Sequence, residues 1–354
     1  MKQYTKYSGI VLLLTMLFSF SLIGCPDAGG NGGNGEEDTT PDTEYDIRFG
    51  VISDTHIGAT GRGAATYPND LRLNKVLDWY NKQQHLKTLA IVGDITDYGG
   101  LDSNWNTVKT SLKNHLGKLR LIAVMGNHDG FPVPVLGQAG FFEQATGQTT
   151  NAHHIINGYH FIMLTGGAAG TFDEANLRTP GDTVGDYAAI KDWAIEQIED
   201  AIADDPNKPV FVFFHHPVKN TFYVSDEWYT ETFGQGENTI FKDYPQVVVF
   251  SGHIHSPNND PRSIWQGGFT SVNTVTLHYL EMESGYLGDS ADGIETSTYP
   301  KVGAEAAAQG MIVKVKGSAV IIENYDFDVS ELAPTPDVYP LEEQADGDGA
   351  ENKT

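Results

Sequence analysis

Five short, mostly apolar runs in this chain each stop abruptly on a cluster of polar groups, and that pattern constrains the fold more than any other feature. Residues 47–52 run into Ser53-Asp54-Thr55-His56, and 88–92 into Gly93-Asp94. Residues 119–125 run into Gly126-Asn127-His128-Asp129, 210–214 into His215-His216-Pro217, and 247–250 into Ser251-Gly252-His253-Ile254-His255. Short apolar runs bounded by turn-forming residues read as buried strands. Between them, Leu73, Val76, Leu77 and Tyr80 recur at helical spacing, and so do Trp105, Val108 and Leu112. Ile190, Trp193, Ala194, Gln197 and Ile198 mark a third helix over 187–203. Strands alternating with helices predict an α/β sheet, which places its site at the strand carboxyl ends. Two later β-rich segments, 269–275 and 311–315, are expected to help complete a second sheet packed on the first.

The strand-end groups are Asp54, His56, Asp94, Asn127, His128, His215, His253 and His255. Two carboxylates, one amide and five imidazoles form a mixed N/O donor set, which suits Zn, Mn or Fe better than the oxygen-seeking Ca and Mg. The set is too large for one tetrahedral ion and matches two ions plus one further catalytic residue. In an extended turn, Asp54-x-His56 and His253-x-His255 each direct both side chains to one side. The glycines before Asp94, Asn127 and His253 are expected to permit tight turns.

These blocks, in this order and spread over some 200 residues, resemble the five motifs of the calcineurin-like metallophosphoesterases. The resemblance implies a four-layer α/β/β/α sandwich of two mixed sheets, with a dinuclear metal site at the strand carboxyl ends. Carried over residue by residue, it gives Asp54, His56 and His255 to one ion and Asn127, His215 and His253 to the other, with Asp94 bridging. In the doublet, His215 is chosen because the family's ligand stands two residues before the proline; His216 falls to the substrate side or behind the ligands. The implied activity is metal-dependent hydrolysis of phosphomonoester or phosphodiester bonds, by attack of a metal-bridging hydroxide on phosphorus. His128 is assigned to bind the phosphate and protonate the leaving oxygen, with Asp129 orienting its ring. A non-catalytic envelope protein that binds metal or phosphorylated ligands is the alternative, although no implied ligand is missing. One departure from the purple acid phosphatases stands out: Asp97 occupies the position of their tyrosine, which argues against a ferric–tyrosinate site and predicts a hydrogen bond from Asp97 to a ligand or loop backbone.

The ends of the chain read differently. Lys2 and Lys6 precede an apolar run from Ile10 to Ile23, too short to span a bilayer comfortably and typical of a secretory signal. Leu22-Ile23-Gly24-Cys25 resembles the lipobox of bacterial lipoproteins. Residues 1–24 are therefore read as a signal peptide and Cys25, the only cysteine, as a lipid anchor holding the protein outside the cytoplasm on a membrane of the bacterial envelope. Residues 25–46 form a flexible acidic Gly/Asn-rich tether, 47–325 the folded domain, and 326–354 an acidic, disordered tail. The formal charge of −25 argues against a nucleic-acid scaffold as partner. More than half of it sits in the ends: 25–46 hold seven acids and no base, and 326–354 nine acids and one lysine. A small phosphoester at a metal site stays compatible with the remaining acidity, because bound cations neutralise the site carboxylates.

Two loops suggest substrate contacts. Residues 58–69 contain Arg62, placed to meet a phosphate, and 219–236 contain Tyr223, Trp228, Tyr229 and Phe233. A surface stacking a nucleobase or apolar leaving group and a satellite hydrophobic cluster fit these aromatics equally. His85 and His115 read as solvated helix residues, and the doublet His153-His154 lacks partners to complete a site. His278 is open between the site's rim and core packing.

Overall fold

The strand-forming runs do form strands, but 311–315, expected to help complete the second sheet, instead pairs antiparallel with 47–51 in the first, and the order of pairing is what creates the site. The computed structural model describes residues 6–12, 41–61, 64, 67–130, 138–166, 187–226, 229–258, 260–280, 308–327 and 329. Cys25, most of the tether and nearly all of the acidic tail lie outside these residues.

In chain order the first half contains β1 (Lys6–Leu12), β2 (Ile47–Ile52), α1 (Asn69–Asn81), β3 (Thr88–Val92), α2 (Asp102–His115), β4 (Arg120–Val124) and α3 (Gln138–Thr146). There follow β5 (Ala152–Ile156), β6 (Tyr159–Met163), α4 (Lys191–Asp204), β7 (Val210–Phe213), β8 (Val218–Lys219), β9 (Thr230–Gln235) and β10 (Asn238–Thr239). The last third contributes β11 (Val247–Ser251), β12 (Ile264–Gln266), β13 (Thr270–Asn273), β14 (Gln309–Lys316) and β15 (Ala319–Asp326).

Two six-stranded sheets result, ordered β1-β15-β14-β2-β3-β4 and β12-β13-β11-β7-β6-β5, with β10-β9-β8 as a small third sheet. Both large sheets are mixed. β2, β3 and β4 run parallel, while β14 pairs antiparallel with β2 and with β15. In the second sheet β6, β7, β11 and β13 are parallel, flanked by antiparallel β5 and β12. Near the start of the chain, β1 pairs antiparallel with β15 at the edge of the first sheet.

Three layers of apolar side chains account for the four-layer sandwich. Between the sheets, Phe49, Val51, Ala90, Val124, Phe161, Phe211, Phe213 and Phe250 interdigitate. Phe49 is the hub: its ring centre is 5.0 Å from those of both Phe161 and Phe211, edge-on in each case. Helices α1, α2 and α3 cover the outer face of the first sheet through Leu73, Val76, Leu77, Trp105, Val108 and Phe142. Ala194, Ile198 and Ala201 of α4 cover the outer face of the second. Strands buried on both faces are mostly apolar along their length, which is why β3, β6, β7 and β11 show no alternation of buried and exposed positions. The third expected helix begins as a single 3-10 turn at Ala188–Ile190 and becomes α-helical only from Lys191.

Candidate metal centre

The parallel triplets β2-β3-β4 and β7-β11-β13 end at the same edge of the sandwich. Asp54 and His56 follow β2, Asp94 follows β3 and Asn127 follows β4; His215 follows β7, and His253 and His255 follow β11. Backbone bonds stitch the two ends together. Asp54 N donates to Gly93 O at 3.0 Å, His56 N to Asp94 O at 2.9 Å, and Gly252 N to His215 O at 3.0 Å. Across the sheets, His253 N donates to the Asp54 carboxylate at 3.1 and 3.2 Å; within the first sheet, His128 N donates to Asp94 Oδ1 at 2.8 Å.

Five of the implied ligands, Asp54, His56, Asp94, His253 and His255, have left-handed backbone, with φ between 43° and 74°. Such conformations cost non-glycine residues about 1–2 kcal/mol each and persist only where the surroundings impose them. The glycines before the ligands serve two different needs. Gly93 has φ +81°, as a tight turn requires. Gly126 and Gly252 do not have left-handed φ, contrary to the expectation of tight turns there. They are needed for space: a Cβ on Gly126 would collide with Asp94, and one on Gly252 with Ser53 Oγ and Asp54.

Three clusters of potential ligands converge: Asp54, His56 and His255; Asp94, His215 and His253; and His56, Asp97 and His128. In each cluster one donor atom per residue lies within 4.8 Å of the others. Proton placement shows that the first two fit cations. His255 Nδ1 donates to Tyr279 O at 2.9 Å, and His56 Nδ1 to Asp97 Oδ1 at 3.1 Å. Their Nε2 atoms are left as bare lone pairs, 3.1 Å apart, with Asp54 Oδ1 at 3.2 Å from that of His255. His215 Nδ1 donates to Val92 O at 2.8 Å, so its Nε2 faces Asp94 Oδ2 at 3.1 Å. His215 Nε2 and Asn127 Oδ1 are both buried without a hydrogen-bond partner. In the first cluster converging lone pairs with no proton between them repel, and a bound cation removes the repulsion; at His215 Nε2 a cation would take the place of a proton. The backbone or carboxylate acceptor behind each of these three imidazoles is the usual support for a metal-bound histidine.

The electrostatics agree. Burial opposes ionisation of Asp54 and Asp94, but the surrounding imidazoles hold both below the ordinary carboxylate range. Burial also opposes protonation of His215, yet Asp94 and Asp54 push it up to about 9, so a proton stands in for the cation. His56 and His253 are lowered, chiefly by burial.

His128 sits apart from these ligands, its side chain 38% exposed and its ring 4.6 Å from that of His56. Its Nδ1 donates to the Asp97 carbonyl at 2.9 Å, with Asp97 Oδ1 at 3.5 Å. Burial disfavours the charged ring, but Asp97 and Asp94 outweigh it and raise His128 to about 10. Asp129 does not orient His128. The 3-10 turn His128–Gly130 directs it inward, fully buried, where it accepts from Ile95 N, Thr96 N, Thr96 Oγ1 and Gly126 N at 2.7–3.0 Å. It ties the Asp94 loop to the Asn127 loop, and the residue that bonds the His128 ring is Asp97.

The remaining expected contacts divide. His216 lies beside the site, its ring 4.4 Å from that of His253 and its Nδ1 3.3 Å from Tyr187 OH. Burial and the neighbouring His215 lower it to about 3, so it is neutral. Tyr223 takes the satellite-cluster alternative: it is buried with Phe222, Val224 and Ile254, under the Arg262 guanidinium at 3.8 Å from its ring centre. Arg62 and Trp228 lie outside the described residues. His278, left open by the sequence, is buried with its ring 5.1 Å from that of His56.

A family model described as calcineurin-like phosphoesterase matches residues 47–257. No curated protein matches the chain. Among solved structures, the purple acid phosphatase PPD1 from seeds of yellow lupin (Lupinus luteus) shares 10% identity over 83% of this chain and 52% of its own, at a TM-score of 0.45. This chain thus spans about half the length of the lupin protein. TT1561 of Thermus thermophilus shares 10% identity over 78% and 97%, at 0.43, and an archaeal phosphodiesterase 12% over 78% and 98%, at 0.32. These structural likenesses are too distant to carry an argument, and the assignment rests on the family match, which covers more than half of the chain and contains every strand-end motif. The chain belongs to the calcineurin-like phosphoesterases.

Proposed function

We infer that this protein hydrolyses phosphomonoester or phosphodiester bonds with two transition-metal ions, Mn, Fe or Zn, at the junction of the two sheets. The observation that carries the reading is the set of unprotonated donor atoms aimed at one another, together with the orphaned His215 Nε2 and Asn127 Oδ1. Asp54, His56 and His255 would hold one ion, and Asn127, His215 and His253 the other. Asp94 faces both sets, its Oδ2 3.1 Å from His215 Nε2 and 3.7 Å from His56 Nε2, as a shared ligand must. When bound, such a pair supplies a water nucleophile ionised near neutral pH and a Lewis-acid clamp for the phosphate oxygens.

The chain's own residues do the rest. His128, protonated at neutral pH and partly exposed, pairs with the phosphate and gives its proton to the leaving oxygen. Asp97 fixes the rings of His56 and His128 together, so ligand and proton donor keep one spacing. Neutral His216 packs beside His253 and adds no charge to repel the ions.

Hydrolysis of mono- and bis-nitrophenyl phosphate, after loading with Mn, Fe or Zn, tests the reading and separates monoester from diester preference. Activity that disappears in Asp94→Asn supports it. Tight metal binding without turnover under any loading would return the protein to a binding role. We further propose that lipid at Cys25 anchors the protein extracytoplasmically in the bacterial envelope. Palmitate labelling that persists in Cys25→Ser, or is absent from the unmutated protein, would refute the anchor.

A further inference from the structure

We propose that Arg72 and Asn69, both on α1, are positioning residues for the Asp54–His56–His255 set, acting through the segment 276–279 that follows β13. The proposal rests on the metal reading of the site. Neither residue belongs to a strand-end motif, and 276–279 lies beyond the family match, which ends at 257.

The segment forms the back wall of the set. Leu277 N donates to the carbonyls of Ser53 at 3.2 Å and Asp54 at 3.3 Å, and Thr276 Oγ1 donates to Asp54 O at 3.2 Å. Two residues on, Tyr279 O accepts His255 Nδ1–H at 2.9 Å, which leaves His255 Nε2 free to be a ligand. Local bonds shape the loop, Val275 N donating to Asn273 Oδ1 at 3.3 Å and His278 N to Thr276 Oγ1 at 2.9 Å, but they leave the carbonyls of Leu277 and His278 to be held from outside it. Val275, a β-branched residue at φ 70°, stands against its own preference.

Arg72 supplies the restraint. It is fully buried, and its Nη1 donates to the carbonyls of Leu277, at 3.1 Å, and His278, while Nε donates to Tyr67 O at 2.8 Å. A planar guanidinium anchored by Nε to Tyr67 O, with Nη1 bonded to two successive carbonyls, fixes the direction of the next peptide, which carries the Tyr279 oxygen. Asn69, one helical turn earlier, works from the other side: its Nδ2 donates to His56 O at 2.9 Å, and its amide contacts His278 Nδ1 at 3.0 and 3.2 Å. α1 therefore grips both the His56 backbone and the loop that sets the tautomer of His255.

Arg72→Met keeps the volume and removes the donors. Titration of metal-free protein with Co²⁺, followed by visible absorption and calorimetry, should show two classes of site in the unmutated chain. In Arg72→Met one class should weaken about 10–100-fold, the scale of supporting-contact losses, with the other unchanged. Arg72→Lys and Asn69→Ser should fall between. Equal affinity in both classes, or equal loss from both with native circular dichroism, overturns the proposal alone. An unmutated protein that binds no Co²⁺, Mn²⁺ or Zn²⁺ overturns the metal reading itself. Should Arg72→Met not fold, histidine ¹⁵N NMR of the metal-free unmutated protein decides: His255 must carry its proton on Nδ1, and an Nε2–H form refutes the role.

Discussion

Gly126→Ala should cripple the metal centre while leaving the fold recognisable. The backbone at Gly126 is outside the left-handed region, so alanine is conformationally permitted and the effect is steric. The added Cβ would stand 2.8 Å from Asp94 Cγ, and closer still to Oδ1 and the backbone nitrogen of Asp94; ordinary contact begins near 3.4 Å, so Cγ must retreat by about 0.6 Å and Oδ1 by more. Ligand positions tolerate about 0.2 Å. Loss of the shared Asp94 position should therefore weaken metal binding about 100-fold or more, equivalent to ~2.7 kcal/mol. Overpacking adds about 1–3 kcal/mol of destabilisation. At roughly 2–4 °C per kcal/mol, Tm should fall by about 2–12 °C. Gly140→Ala is the control. It lies within α3 with nothing within 4 Å of its added Cβ, and it should be neutral or stabilising by about 0.5–1 kcal/mol. Elemental analysis after gel filtration, calorimetric titration with Mn²⁺ or Zn²⁺, and thermal melts check all three numbers. A Gly126→Ala protein that binds as many ions with unchanged affinity refutes the steric reasoning.

Asp97→Asn should slow phosphoester hydrolysis about 10–100-fold and weaken metal binding, because one carboxylate serves both His56 and His128; steady-state kinetics at saturating metal separate the two losses, and normal values for both would remove Asp97 from the site. His128→Ala should retain its metals and lose about 10²–10⁴ in turnover, checked by the same assay with elemental analysis. Metal binding should tighten as pH rises toward 9, because the ion displaces the proton that Asp94 and Asp54 hold on His215. The stability that this proton lends the metal-free protein runs the other way: it is fully present below about 6.5, the ordinary histidine value, and is lost as pH rises through about 9. Calorimetry in buffers of different ionisation enthalpy measures the released proton, and a pH-independent affinity between about 6.5 and 8.5 would exclude it. Phe49→Ala removes the hub between the sheets and should cost about 3–5 kcal/mol, seen as a Tm drop of roughly 6–20 °C.

The positions of the candidate ligands were legible because each follows its strand within a few residues, so one-dimensional order reports three-dimensional position. Asp54, Asp94 and Asn127 inherit their places from β2, β3 and β4, and parallel pairing brings them to one edge. Sequence adjacency misled where the backbone turned. Asp129 is next to His128 in the chain, but the 3-10 turn sends it into the interior to bind Thr96. Asp97, 31 residues away, takes the role instead. Tyr223 stayed open for a different reason: an aromatic near a site carries no sign of which way it faces, and here it joins a cluster with Phe222, Val224 and Ile254, with Arg262 over its ring. Arg72 was invisible, since its acceptors are backbone carbonyls 205 and 206 residues along the chain, and a carbonyl has no residue type.

The two sheets divide the chemistry between them, and that division links the site to the core. The first sheet brings the oxygen donors Asp54, Asp94 and Asn127, with His56 as its one imidazole; the second brings His215, His253 and His255. Neither sheet alone holds a complete set. The bonds that join the halves, His253 N to Asp54 and Leu277 N to Ser53 and Asp54, form only when the sheets are packed in register. What sets that register is the layer of side chains around Phe49, reaching Phe161, Phe211 and Phe250 on the facing sheet. The strained φ angles at five ligands can be held because bonds from both sheets restrain the same few residues. A metal centre built this way would be a consequence of the sandwich closing, so side chains remote from it, Phe49 in the core and Arg72 behind the loop, would bear on how the candidate ligands are held.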